Sequence, residues 1–220
     1  IERTFPAVIE VPAGSKNKYE IDKDTGFLVL DRVLFSAVHY PANYGFIPRT
    51  YCDDGDALDV LVLSQAPVHP ITIVPARAIG VMRMRDDKGG DDKIVAVSTH
   101  DPWFNEYTDQ SQLPGHIMRE IRRFFEDYKT LENKTVVIDD LLGAEAAVQI
   151  IRESLDLYKK LRRGEIHRKW AARAAGSARQ AEPLERLPQA LAGHLGGAGR
   201  LRLGRVLGEQ AGEVQPLELG

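Results

Sequence analysis

Between Ala7 and Ser98 the chain reads as seven short segments separated by turns, with no helical pattern between them. Ala7–Val11, Tyr19–Ile21, Phe27–Leu34, Leu58–Leu63, Ile71–Val74, Ala76–Met84 and Lys93–Ser98 carry the apolar content that strands need. Pro12-Ala13-Gly14-Ser15 and Asp24-Thr25-Gly26 punctuate the first three. Strands in tandem predict an antiparallel sheet or a small barrel rather than a doubly wound parallel sheet. Two helices follow. Residues 115–131 set Ile117, Ile121, Phe124, Tyr128 and Leu131 at helical spacing, after Pro114 at the first turn. Ala144 to Arg163 sets Ala147, Ile151, Leu155, Tyr158 and Leu161 on one stripe, with Gly164 as the stop. A short strand, Thr135–Ile138, is expected between them. The class is α+β, mainly β.

This pattern ends at Trp170. Residues 171–220 contain no Phe, Tyr, Trp, Ile, Met or Lys, and Ala, Gly, Leu and Arg fill 34 of the 50 positions. Few of those side chains can build a core, and Gly193, Gly196, Gly197 and Gly199 interrupt any helix. The expected organisation is a domain over 1–170 and a weakly structured, low-complexity tail over 171–220. Ile1 in place of Met suggests that a short N-terminal piece precedes this sequence.

Charge and cysteine content narrow the function. The 220 residues carry a net charge of -3, and residues 1–170 carry -4, a poor match to a general nucleic-acid binder. The longest aliphatic runs are too short to span a bilayer. The single Cys52 allows no intrachain disulfide, so the default compartment is reducing and intracellular. The six histidines are scattered, with no His-Glu-x-x-His, no Gly-x-Ser-x-Gly elbow and no phosphate-binding Gly-Lys-Ser/Thr loop. The acids following Cys52 raise rather than lower its pKa, which argues against a thiol nucleophile.

The chemistry concentrates in Asp53-Asp54-Gly55-Asp56-Ala57-Leu58-Asp59-Val60, an acidic turn feeding an apolar strand. Carboxylates held this close repel one another and require a positive counterpart. The donors are hard oxygens, which suit Mg²⁺ or Mn²⁺ rather than Zn²⁺. Taken alone, the turn reads equally as a solvated acidic loop. A second acidic turn, Asp86-Asp87-Lys88-Gly89-Gly90-Asp91-Asp92-Lys93, is an ordinary hairpin tip by itself. If its strands neighbour the first turn, Asp86 and Asp91 complete a cluster begun by Asp54 and Asp59. Lys18 and Glu20 share one strand face, where a solvent-facing pair is the plain reading. Tyr40 to Gly45 reads as a tight aromatic turn, and Lys129 as a helix-end cation. A pocket rich in carboxylates, cations and tyrosines, without a covalent nucleophile, fits metal-assisted attack of water on a phosphoryl group.

The ordered motifs resemble those of the family I soluble inorganic pyrophosphatases of bacterial type. Asp-Gly-Asp-Ala-Leu-Asp-Val at 54–60 fits that family's signature. Ile-Glu-Val-Pro-Ala-Gly at 9–14, Lys-Tyr-Glu at 18–20, Asp-Arg at 31–32, Tyr-Pro-Ala-Asn-Tyr-Gly-Phe-Ile-Pro at 40–48, the 86–93 hairpin and Phe-Phe-Glu-Asp-Tyr-Lys at 124–129 accompany it in order. The resemblance implies a small five-stranded OB-like β-barrel flanked by two main helices. It implies hydrolysis of diphosphate to two orthophosphates with several Mg²⁺ ions. In that reading Asp54, Asp59 and Asp91 hold metals around the nucleophilic water, with Asp86 sharing a further ion. Glu20 helps hold a substrate-borne metal, Glu10 orients the cluster, and Asp56 takes the water's proton. Lys18, Arg32, Tyr128 and Lys129 bind phosphate oxygens, supported by Tyr44 and Lys93. The resemblance also implies a cytoplasmic homohexamer. Residues after Trp170 do not align with the family.

Two other readings stand beside this one. Another Mg²⁺-dependent phosphohydrolase would need a base- or sugar-binding pocket, for which the sequence offers no clear candidate. A non-enzymatic OB-type oligonucleotide-binding module would need a basic groove with exposed stacking aromatics, whereas the expected mouth is ringed by aspartates.

Overall fold

The computed structural model describes residues 4–23, 25–86 and 89–167, and of Asp86 only the backbone. The tail expected over 171–220 lies outside the described residues. Among the described residues nine strands, β1 (Thr4–Val11), β2 (Asn17–Ile21), β3 (Leu28–Val33), β4 (Asn43–Phe46), β5 (Asp59–Leu63), β6 (Ile73–Asp86), β7 (Gly89–Gly90), β8 (Lys93–Ser98) and β9 (Val137–Gly143), accompany two α-helices, α1 (Gly115–Asp127) and α2 (Ala144–Arg162).

Five of the strands close on themselves in the order β1-β4-β5-β8-β6, with β6 returning to β1. This is the small OB-like barrel that the motifs imply. All its contacts are antiparallel except β5 with β8, which run parallel from the rung Asp59↔Lys93. The long β6 bends through a register shift between Ala78 and Gly80. Its first half pairs with β1 and its second half with β9. β2 and β3 form a separate two-stranded hairpin.

The sequence pattern divides Ile71–Val74 from Ala76–Met84, but one strand runs through Pro75. The proline is tolerated because its rung partner on β1 is Pro6. Neither residue has an N–H, so no donor is stranded there, and the Pro75 carbonyl accepts from Thr99 N at 2.9 Å. The expected strand at Thr135–Ile138 forms over Val137–Gly143, where β6 offers an edge. The first helix ends at Asp127, and a 3-10 turn over Thr130–Glu132 follows it. Gly164, at φ 73°, ends α2 as anticipated. Tyr40–Gly45, read as a turn, contains most of β4.

Two apolar layers hold the barrel. Phe5, Ala7 and Ile9, from the single buried face of β1, meet Val60, Val62, Ala76, Ala78, Ile94 and Ala96 inside the barrel, where Ala147 and Ile151 of α2 join them. Alanines suit the narrow lumen of five strands. On the outer face Leu61, Leu63, Val95 and Val97 pack under Met118, Ile121, Phe124 and Phe125 of α1. β5 and β8 are thus buried on both faces, which is why they read as continuous apolar runs. The start of α2 is capped from a distance: Asp109 Oδ2 accepts from Ala144 N at 2.8 Å.

Candidate active site

The barrel brings the two acidic turns together through one rung. Asp59 opens β5 and Lys93 opens β8, and the parallel pairing sets them opposite each other. Side chains alternate along a strand, so Asp59 shares the outer face with Leu61, and Lys93 shares it with Val95. Tyr44, opposite Leu61 on β4, reaches the same place and donates to Asp59 Oδ2 at 2.5 Å. The Lys93 ammonium pairs with Asp59 and, at 2.5 Å, with Asp91. Lys93 is 2% exposed. Burial pulls its pKa down, but Asp59 and Asp91 overrule it, and the ammonium is held well above its ordinary value.

The turn before β5 is fixed by backbone bonds. Cys52 N donates to the Asp56 carbonyl at 2.8 Å and Gly55 N to the Cys52 carbonyl at 3.0 Å, with Gly55 at φ 93°. Asp54 Oδ1 accepts from Asp56 N at 3.0 Å. Burial pushes Asp54 above its ordinary value, the Asp56 N–H opposes this, and the charges of Asp56, Asp59 and Asp91 add to the rise. Asp59 is likewise pushed up by burial, against the pull of Lys93. Asp56 faces solvent, and its carboxylate meets Lys23. Asp91 is anchored by its own N–H to the Met84 carbonyl at 2.8 Å. The backbone of Asp86 pairs with Gly89 at the tip of the same hairpin.

Glu10, at the end of β1, accepts from Ile21 N at 2.8 Å and so ties the β2–β3 hairpin to the barrel. Burial pushes Glu10 up to about 7; the Ile21 bond opposes the rise, and nearby Asp59 and Glu20 reinforce it. The hairpin pairs Lys18 with Arg32 in register. Lys18 meets Glu20 and, at 3.2 Å, Asp31; Arg32 Nε donates to Glu132 at 2.7 Å and its Nη1 pairs with Asp31. Tyr128, at the end of α1, is 5% exposed and stacks on Phe124 at 5.4 Å. Lys129 lies over the Tyr128 ring at 5.1 Å. Lys93, Lys129 and Asp91 all act on the Tyr128 hydroxyl, which places the end of α1 within electrostatic reach of the acids. An open cavity of about 460 Å³ reaches the acids from the side of α2, between Asp54, Asp91 and Glu153.

Every site residue singled out in the sequence, apart from the undescribed side chain of Asp86, therefore lies at one end of the barrel. Among the described residues no three His, Cys, Asp or Glu side chains converge into a ready-made metal nest. The Lys93 ammonium stands between Asp59 and Asp91 instead. The donor set nonetheless fits a hard divalent cation. It is all oxygen, and Asp54 and the half-buried Asp59 lie beside like charge, whose repulsion a cation relieves.

The family model described as inorganic pyrophosphatase matches residues 7–159. The soluble inorganic pyrophosphatase 2 of Chlamydomonas reinhardtii is 56% identical over 153 residues, covering 70% of this chain and 80% of that protein. Soluble inorganic pyrophosphatase PPA1 of Solanum tuberosum is 57% identical over 154 residues, covering 70% and 73%. The crystal structure of the inorganic pyrophosphatase from Thermus thermophilus superposes with a TM-score of 0.70 at 42% identity, over 71% of this chain and 92% of that one. This chain belongs to the inorganic pyrophosphatase family.

The family match spans all the residues above. Sequence reasoning missed several that the fold adds around them. Asp31 bridges Lys18 and Arg32, and its signal was the neighbouring Asp31-Arg32 pair on a strand facing Lys18. Glu132 is 100 residues from Arg32 and left no local signal. Arg83 and Asp92, paired at 3.3 Å, flank the acidic hairpin and were visible only as part of its charge pattern.

Proposed function

We infer that this chain hydrolyses inorganic diphosphate to two orthophosphates. The observation that carries this reading is the buried Lys93 between Asp59 and Asp91, with Lys18, Arg32, Tyr128 and Lys129 gathered around the same end of the barrel. Carboxylates for cations stand beside cations for phosphate, an arrangement suited to attack by a metal-activated water.

Asp54, Asp59 and Asp91, with Asp86, Glu20 and Glu10 around them, would hold Mg²⁺. When bound, such ions neutralise phosphate oxygens and make water more acidic. The chain's own groups do the rest. Asp56, an exposed carboxylate of the turn, accepts the proton of the attacking water. Arg32 and Lys18 exchange their carboxylate partners for phosphate oxygens, and Lys129 and the Tyr128 hydroxyl bind the opposite side. Tyr44 and Lys93 fix the Asp59 carboxylate in one orientation.

Three finer statements belong to the same reading. The short barrel unit supports the bacterial type: it covers 92% of the Thermus thermophilus chain but 67% of the Schistosoma japonicum chain, whose likeness at 21% identity is one of fold. Association into a homo-oligomer, which the resemblance makes a cytoplasmic hexamer, accords with the apolar side chains left in solvent at Phe27 and Leu30 of the β2–β3 hairpin and at Phe35 just beyond it. No helix among the described residues is long and apolar enough to cross a membrane. We place the whole activity in residues 1–170, because every proposed site residue precedes Trp170; a chain ending there should retain diphosphatase activity.

The test is a phosphate-release assay comparing diphosphate, ATP and a phosphomonoester, with Mg²⁺ present and absent. Diphosphate should be strongly preferred. Preference for ATP or the monoester would replace this reading with that of a different phosphohydrolase.

A further inference from the structure

The tip of the β2–β3 hairpin reaches the acidic turn through one side chain. Lys23 Nζ meets Asp56 Oδ1, across 33 residues of sequence and from a different sheet. The tip is shaped for this. Asp22 N donates to the Phe27 carbonyl at 2.9 Å and Gly26 N to the Asp22 carbonyl at 2.7 Å, with Gly26 at φ 73°. The turn therefore sets where Lys23 departs from the backbone. At the base of the tip, Glu10 holds Ile21 N, so the hairpin is fixed to the barrel just before Lys23.

Asp56 needs such a partner. Its backbone N–H is held by Asp54 Oδ1, which sets a second carboxylate directly beside it. That like charge repels the Asp56 carboxylate from Asp54. Among the described residues, Lys23 is the cation it meets.

We propose that Lys23 is a positioning residue: from the hairpin that also carries Lys18 and Arg32, it holds the Asp56 carboxylate beside the acidic turn in the orientation proton transfer requires. This rests on the diphosphatase reading above. Its consequence is that one hairpin aligns the phosphate-binding cations and the general base together.

The effect is bounded by exposure. The Lys23 and Asp56 side chains are 47% and 58% exposed, and an exposed ion pair is a modest interaction. We expect Lys23→Met to lower kcat for diphosphate by about two- to five-fold, the range an exposed pair can supply. KM and melting temperature should stay unchanged, because Lys23 lies outside the phosphate-binding set and the core. Lys23→Arg should restore kcat. In an Asp56→Asn background, Lys23→Met should change the residual kcat no further, since the charge it orients is gone.

A wild-type chain that does not hydrolyse diphosphate overturns the functional reading itself. With the wild type active, unchanged kcat in Lys23→Met overturns the role of Lys23. So does a rise in KM without a fall in kcat, which would make Lys23 a substrate ligand, and so does a further full loss in the double variant.

Discussion

Asp59 and Lys93 face each other at the first rung of the only parallel strand pair in the described barrel, and the ammonium of Lys93 holds both Asp59 and Asp91. A buried lysine here is not a stabilising ornament. Among the described residues it is the cation that lets two half-buried carboxylates lie within the same small volume. Removing one member of a buried ionic group leaves the others uncompensated, at a cost of about 3–5 kcal/mol.

Lys93→Met should therefore lower the unfolding free energy of the metal-free protein by about 1–3 kcal/mol in a urea titration, short of the fully buried case because water still reaches both carboxylates. Added Mg²⁺ should narrow the deficit, because a divalent ion supplies the charge that the lysine gave. A variant as stable as the wild type without metal would mean that Asp59 and Asp91 need no counter-charge.

Asp56 plays the opposite part, exposed where Asp59 is enclosed. Asp56→Asn keeps the shape and removes the capacity to accept a proton. Turnover should fall by about 10²–10⁴-fold, the contribution typical of a general base. The melting temperature should hold or rise, since one charge leaves an acidic turn. Near-normal turnover of the purified variant would take the base away from Asp56.

Metal removal tests the acidic cluster as a whole. Activity should vanish in excess chelator and return with Mg²⁺. Ca²⁺ should bind the same oxygens yet support little turnover, because it takes more ligands at longer distances. Full activity with Ca²⁺ alone would show that the geometry of the site is not what selects the ion.

The parts of this site that were legible in the sequence are those in which chain neighbours do the work. Asp54, Asp56 and Asp59 lie within six residues of one another, so a single turn and strand start had to place them together. Asp91 needed only the assumption that its hairpin neighbours that turn, whereas Lys93 came with the family resemblance. Arg32 with Glu132, and Lys23 with Asp56, come from contacts between distant elements and leave no local periodicity. In the fold, β8 was read with its final bounds because it is a solid run of apolar residues. β4 was missed because its four residues follow a proline and contain Gly45, which looks like a turn in isolation. β6 was split at Pro75 because nothing in the local sequence tells that Pro6 stands opposite it.

Gly45 yields the last prediction. It pairs with Ile9 across β1 and β4, and a Cβ built there would lie 1.8 Å from the Val8 carbonyl oxygen and 2.8 Å from Ile9 Cα. Those are backbone atoms in a closed barrel, so no side-chain rotation can make room. Gly45→Ala must push β4 away from β1, opening the barrel seam, and the cost should exceed about 4 kcal/mol, the range of severe steric defects. The damage reaches the site directly, because Gly45 follows Tyr44, whose hydroxyl holds Asp59. Gly115→Ala is the matched control: a Cβ there meets nothing within 4 Å, and at the start of α1 alanine is the better helix former. Soluble yield, melting temperature and diphosphatase activity should collapse together in Gly45→Ala and remain intact in Gly115→Ala. A Gly45→Ala protein that melts like the wild type would show that the β1–β4 seam is wider than the closed barrel described above.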